Sequence, residues 1–145
     1  EAWLAASRQT GDVAILADAV KTCNRAEFLR IATIVERELN LHPDPAPTLG
    51  ILGLAFRADT DVTTESLGSF LYEFFAPARS VETYDPLASP TMCTAEELVD
   101  HADVVVVTIP NAEMTYKPGT TVIDIWRTID ALPHNIKLVQ IGVGK

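Results

Sequence analysis

The stretch from Leu49 to Leu67 reads LGILGLAFRADTDVTTESL, and its first six residues decide the fold. Leu49, Ile51, Leu52 and Leu54, interrupted only by Gly50 and Gly53, form an apolar run without polar alternation. Such a run suits a strand covered on both faces, which implies a parallel sheet flanked by helices. The segment from Arg57 to Glu65 then gathers Asp, Thr and Glu around one arginine, and Ser66 is placed to cap the following helix by accepting from a free backbone N–H. A binding site at the carboxyl end of the strand is the functional expectation.

Downstream of this unit the pattern alternates. Strands are predicted near Thr48 to Leu54, Ser80 to Tyr84, Val104 to Thr108, Thr121 to Ile125 and Lys137 to Ile141, with helices from Ser66 to about Ala76 and from Ala95 to about His101. Leu67, Phe70, Leu71, Phe74 and Phe75 share one face of the first of these helices. The expectation is α/β: a doubly wound, mostly parallel, Rossmann-like sheet, with Asp103 to Ile109 supplying its most buried strand.

Upstream, LHPDPAPT at residues 41–48 holds three prolines and cannot continue a helix. It divides a helical part, residues 1–41, from a sheet-bearing part, residues 48–145, with 42–47 as the linker. Trp3, Leu4 and Ala6 belong to a short first segment that Gly11 ends or bends, and Asp12 can cap a long second helix. In that helix Ile15, Leu16, Ala19, Val20, Cys23, Leu29, Ile31, Ala32, Val35 and Leu39 make a broad apolar face that calls for burial. A second copy of the chain docking along residues 12–39, giving a homodimer, is one way to supply it.

Composition narrows the partners. With 145 residues, 48% hydrophobic and 21% charged, the chain has the make-up of one globular domain, or of one domain plus an appendage. A net charge of −9 argues against nucleic acid or an anionic membrane surface, both of which need clustered cations. No apolar run approaches the ~20 residues of a transmembrane helix. The sequence opens on Glu1 with no initiator Met and no basic segment leading into an apolar core, so no secretory signal is visible and a fragment of a longer protein is expected. Cys23 and Cys93 lack CxxC partners, so neither a disulfide framework nor a metal site is expected. Cys23 reads as a buried packing thiol, and the pair fits a reducing cytoplasm.

Ligands of open α/β sheets bind beyond the carboxyl ends of strands, which leaves few residues to consider. Gly50 and Gly53 do not spell GxGxxG, and the next helix starts too late for that fingerprint; this argues against NAD binding by the unit alone and for close helix–sheet packing and a tight turn. Asp85 suits either a ribose hydroxyl or an Asp-Pro turn. Arg57 and Arg127 each follow a strand in an acidic chain and could fork onto a diphosphate; equally, Arg57 could pair with Asp59 or Asp61, and Arg127 with Asp124 or Asp130. Phe56 and Trp126 adjoin them and suit stacking on a base or sugar as well as core packing. His42, His101 and His134 share no ligand spacing and read as surface residues, and no nucleophile has an activating neighbour.

The run Gly53-Leu54-Ala55-Phe56-Arg57-Ala58-Asp59-Thr60-Asp61, followed by Glu65-Ser66, resembles the UDP-glucose and GDP-mannose dehydrogenase family, which reads Gly-Leu-Ala-Phe-Lys, Asp-Thr-Asp and Arg-Glu-Ser. Tyr84-Asp85-Pro86, the runs from Ala95 to Val107, and Val122-Ile123-Asp124 before Arg127 are similar to that family's carboxyl-terminal nucleotide-sugar-binding domain. Trp3-Leu4-Ala5 and Val20 to Asn24 resemble its central helical, dimer-forming domain.

The resemblance implies a parent enzyme, UDP-glucose 6-dehydrogenase-like, that uses two NAD to oxidise C6 of a nucleotide sugar through a cysteine thioester. It implies that the NAD-binding domain and the nucleophile's Gly-Gly-x-Cys segment lie before Glu1, leaving no catalytic residue here and a fragment inactive alone. Phe56, Arg57, Trp126 and Arg127 would form the nucleotide-sugar cradle. Arg57 replaces the family's lysine, Thr64 its Arg-Glu-Ser arginine and Leu67 a frequent proline. The alternative is a non-catalytic α/β interaction module diverged from that family.

Overall fold

The computed structural model describes residues 12–110 and 114–142. Trp3, Leu4 and Ala6 lie outside the described set. The first described element is the helix α1, Asp12–Leu41, and the chain's two compact units divide inside it, between Thr33 and Ile34.

In the first unit the apolar face is exposed from Ile15 to Leu29, and only Ile31 and Ala32 near its end are buried. Ile15, Leu16, Val20 and Leu29 are 72, 66, 51 and 44% exposed. Cys23 is exposed as well, which corrects its reading as a packing thiol. Helical periodicity identified a coherent stripe, but a stripe is buried only where something packs on it, and the Ile15–Leu29 part is left open.

In the second unit the end of α1 is buried through Val35 and Leu39. Its Glu38, 3% exposed, accepts from Lys137 Nζ at 2.5 Å and Arg37 Nη2 at 2.9 Å. Burial alone would raise this carboxyl's pKa, but the two cations hold it below the ordinary range.

Five strands follow: β1 Leu49–Leu52, β2 Val81–Tyr84, β3 Val104–Val107, β4 Thr121–Asp124 and β5 Lys137–Gln140. They form one sheet in the order β2-β1-β3-β4-β5, every pair parallel. The register sets Leu52 opposite Tyr84 on one side and Val107 on the other, and Val107 opposite Asp124, so the carboxyl ends align. The fold is therefore a doubly wound parallel α/β sheet. The three inner strands are buried throughout, whereas the edges β2 and β5 are partly exposed. This is why β1 and β3 read as continuous apolar runs.

Two helices complete the unit: α2, Leu67–Phe75, and α3, Ala95–His101. Ser66 caps α2 as expected, its side chain accepting from Ser69 N. Thr94 and Glu97 close a reciprocal capping box on α3. Helix α3 packs with Leu52, Val105, Val107 and Val122 through Leu98 and Val99. The alternate residues Leu49, Ile51, Val104, Val106 and Ile123, all fully buried, point to the other face. Phe70, Leu71 and Phe75 of α2 are buried, but Phe74 is 46% exposed and rests its ring against Phe70 and Phe75 at 5.7 and 5.0 Å.

Candidate functional site

Strand order reverses between β1 and β3. The chain leaves β1 toward β2 and leaves β3 toward β4, so their carboxyl ends open a crevice where sheets of this class take ligands.

The turn out of β1 is built from backbone contacts. Gly53 has φ +106°, and a Cβ there would run into the side chain of Ile109. Gly50 lies under α3, where a Cβ would meet Leu98 Cδ2 at 2.6 Å and Ala102 Cβ at 2.8 Å. The glycines serve a tight turn and close helix–sheet packing, as expected. Beyond them Leu54 N and Ala55 N donate to one oxygen of Asp85 at 2.7 and 2.9 Å, while Leu87 N and Ala88 N donate to the other at 2.9 and 2.8 Å. Burial would raise the Asp85 pKa, but these N–H groups together hold it below the ordinary carboxylate value. Both oxygens are spent on backbone, so of its two readings Asp85 takes the turn and not the ribose. The segment that follows is closed by Phe56 N donating to Val62 O at 2.7 Å. It leaves Phe56 57% exposed and Arg57 exposed.

Beside it, Thr108 directly follows the central strand. Its hydroxyl donates to Gly53 O at 2.6 Å and lies 3.0 Å from Leu52 O, locking the turn after β1 to the end of β3. Its carbonyl accepts from Trp126 Nε1 at 2.6 Å. Trp126 is thus anchored at its polar end and 56% exposed, a ring held beside the end of β3 rather than packed in the core.

Asp124, fully buried, ends β4. Its carboxylate accepts from Trp126 N at 3.1 Å, Ile129 N at 2.9 Å and Gln140 Nε2 at 3.4 Å. This clasp sets a sharp turn in which Arg127 takes φ +58° and is exposed.

Phe56 with Arg57 and Trp126 with Arg127 therefore stand on turns after β1 and β4, the two neighbours of β3. Strand spacing puts those strand ends about 10 Å apart. Among the described residues neither guanidinium forms an ion pair: Asp124 is engaged with backbone and Gln140, and Asp59, Asp61 and Asp130 form no salt bridge with either. Of the two readings of these arginines, local neutralisation is not what the structure displays.

Thr108 and Asp124 are the residues whose part was not foreseen. Their position at the end of a buried strand was the available signal, but which backbone groups a side chain serves is settled by the turn, not by the sequence.

A nicotinamide dinucleotide would need an open helix N-terminus after β1 for its pyrophosphate. That place is filled. Ser66 Oγ donates to Leu54 O and accepts from Ser69 N, and the Cα of Gly68 sits so close that a Cβ would meet Gly53 O. The residues after β1 do not fit the group in that manner. The thiol of Cys93 does not suit a nucleophile, since burial, with Glu82 and Glu97 nearby, pushes its pKa up. A separate cleft of about 500 Å³ opens between the two crossovers flanking β4, lined by Met114, Tyr116, Ile129 and Leu132 among others, and includes neither arginine. Burial, with Asp124 nearby, pushes the Tyr116 phenol up to about 12, so it stays protonated there.

No protein-family model matches the chain, and no curated protein matches it in sequence. Solved structures do. The UDP-D-ManNAc dehydrogenase of Pyrococcus horikoshii matches over 81% of this chain with 25% identity and a TM-score of 0.61. A UDP-glucose dehydrogenase from Pyrobaculum islandicum matches over 85% with 20% identity and a TM-score of 0.66. The GDP-mannose dehydrogenase of Pseudomonas aeruginosa matches over 72% with 17% identity and a TM-score of 0.53. The chain spans only 30, 31 and 30% of those three proteins. The resemblance carried by the motifs from Gly53 to Ser66 is thus met by a resemblance in three dimensions.

Proposed function

We propose that this chain is the nucleotide-sugar-holding part of an NAD-dependent nucleotide-sugar 6-dehydrogenase, similar to UDP-glucose 6-dehydrogenase, whose whole protein oxidises C6 of the sugar to a uronic acid. The observation that carries the reading is the pair of arginines, Arg57 and Arg127, without an ion pair among the described residues, on turns either side of β3 in a chain of net charge −9. A diphosphate presents the paired anionic oxygens that two guanidinium forks satisfy. Phe56 and Trp126, exposed beside them, offer faces for the base or sugar. The likeness to three nucleotide-sugar dehydrogenases supports the assignment. NAD and the nucleophilic cysteine belong, in this reading, to the part of the protein beyond these residues, so the fragment binds without catalysing.

Titration calorimetry at low ionic strength tests it. UDP and UDP-sugars are expected to bind and uridine to give no measurable heat, with affinity falling as salt rises. Absence of heat at millimolar UDP and UDP-sugar overturns the assignment, and an α/β interaction module is then the reading that remains.

The exposed stripe of Ile15, Leu16, Val20 and Leu29 is, in the same reading, a homodimer contact along α1, because a second copy offers an identical apolar stripe. Sedimentation of the purified chain is expected to give a dimer. Monomers persisting at concentrations of tens of micromolar or more would remove this part without touching the ligand reading.

A further inference from the structure

The two turns that carry the aromatic and arginine pairs share a construction. Each is gripped from below by a buried aspartate whose oxygens accept from two or more backbone N–H groups, joined at Asp124 by the Gln140 side chain. Asp85, 4% exposed, ties Leu54 N and Ala55 N, immediately before Phe56, to Leu87 N and Ala88 N after β2. Asp124 holds Trp126 N itself, together with Ile129 N and Gln140 Nε2 from β5. A bare carboxylate at an anion-binding edge would repel the ligand. One whose oxygens accept several N–H dipoles has its charge compensated locally, and so can stand there as a fastening.

We infer that Asp85 and Asp124 are positioning residues for a nucleoside diphosphate at the β1/β3 crevice, each acting through its own turn: Asp85 on Arg57, Asp124 on Arg127. The inference rests on the ligand proposed above and adds to it which groups fix the two forks. Preorganisation matters here because each arginine sits on an exposed turn, and ordering that turn at the moment of binding would cost affinity.

Double-mutant cycles on UDP affinity test this. Asparagine keeps one acceptor oxygen but turns an NH₂ toward backbone donors, so Asp85→Asn leaves one pair of them without a partner. It is expected to weaken UDP on the order of tenfold, to do so again in an Arg127→Ala background, and to have no further effect in an Arg57→Ala background. Asp124→Asn is expected to show the mirror pattern, silent only with Arg127→Ala. General loosening of the fold would not sort by loop in this way. Losses that add in both backgrounds, or no loss at all, overturn the inference while leaving UDP binding intact. No UDP binding by the unsubstituted chain overturns the functional reading and this inference with it. Should Asp85→Asn fail to fold, Thr91→Val repeats that arm more gently, since Thr91 Oγ1 accepts from Asp85 N at 3.1 Å and donates to Asp85 O at 2.8 Å. Gln140→Leu does the same for Asp124.

Discussion

Exchanging Gly68 for alanine lowers the unfolding free energy of the α/β unit by about 3 kcal/mol or more, although alanine in place of glycine ordinarily strengthens a helix by up to about 1 kcal/mol. Gly68 lies in the first turn of α2, and a Cβ there would meet the backbone oxygen of Gly53 and approach Leu54 Cα at 2.9 Å. Both belong to the turn out of β1. That turn cannot yield, because Thr108 Oγ1 holds Gly53 O and Asp85 holds Leu54 N. The helix must instead back away, which separates Ser66 Oγ from Leu54 O and uncovers Phe70 and Leu71. For a domain near this size the melting temperature is expected to fall by roughly 12 °C or more. Gly119→Ala is the matched control: at φ +91° with nothing within 4 Å of the added atom, it carries backbone strain alone and is expected to cost about 1–2 kcal/mol. Urea unfolding of both variants separates the effects. If Gly68→Ala costs no more than Gly119→Ala, the close approach of α2 to the β1 turn is not what holds that helix.

The sheet was legible because its signals are local. The unbroken run Val104–Val107 announced a strand with no wet face, and it is the central strand, buried throughout. Ser66 and Thr94 announced helix starts through a side-chain chemistry that needs no knowledge of the rest of the molecule. The crevice at the strand ends followed from topology. What the sequence left open was the choice of partner. Asp124 was open as a mate for Arg127, and Asp85 as either a ribose partner or an Asp-Pro turn; Asp85 took the turn, and Asp124 went to backbone N–H groups and Gln140, whose positions depend on the turn. The apolar stripe of α1 exposed the same limit from the other side. Periodicity locates a face to be covered, yet Ile15 at 72% and Leu16 at 66% exposure show that it does not say by what.

Arg57→Ala and Arg127→Ala are each expected to weaken UDP binding about 10- to 100-fold, and together on the order of a thousandfold. A charge-assisted hydrogen bond contributes about 1.5–3 kcal/mol, and each 1.4 kcal/mol is about tenfold. The loss belongs to binding and not to folding. Both side chains are exposed and free of ion pairs among the described residues, so each substitution is expected to change stability by no more than about 0.5 kcal/mol. Arg57→Lys separates charge from shape. If the guanidinium acts as a point charge, lysine restores most of the affinity; if it forks onto two oxygens, a substantial part of the loss remains. Ionic strength provides a second readout, since removing a cation that faces the diphosphate should flatten the fall of affinity with salt. A double variant that binds UDP as tightly as the unsubstituted chain, with the same salt dependence, would mean that the two turns do not share a ligand, whatever the likeness of their sheet to that of nucleotide-sugar dehydrogenases.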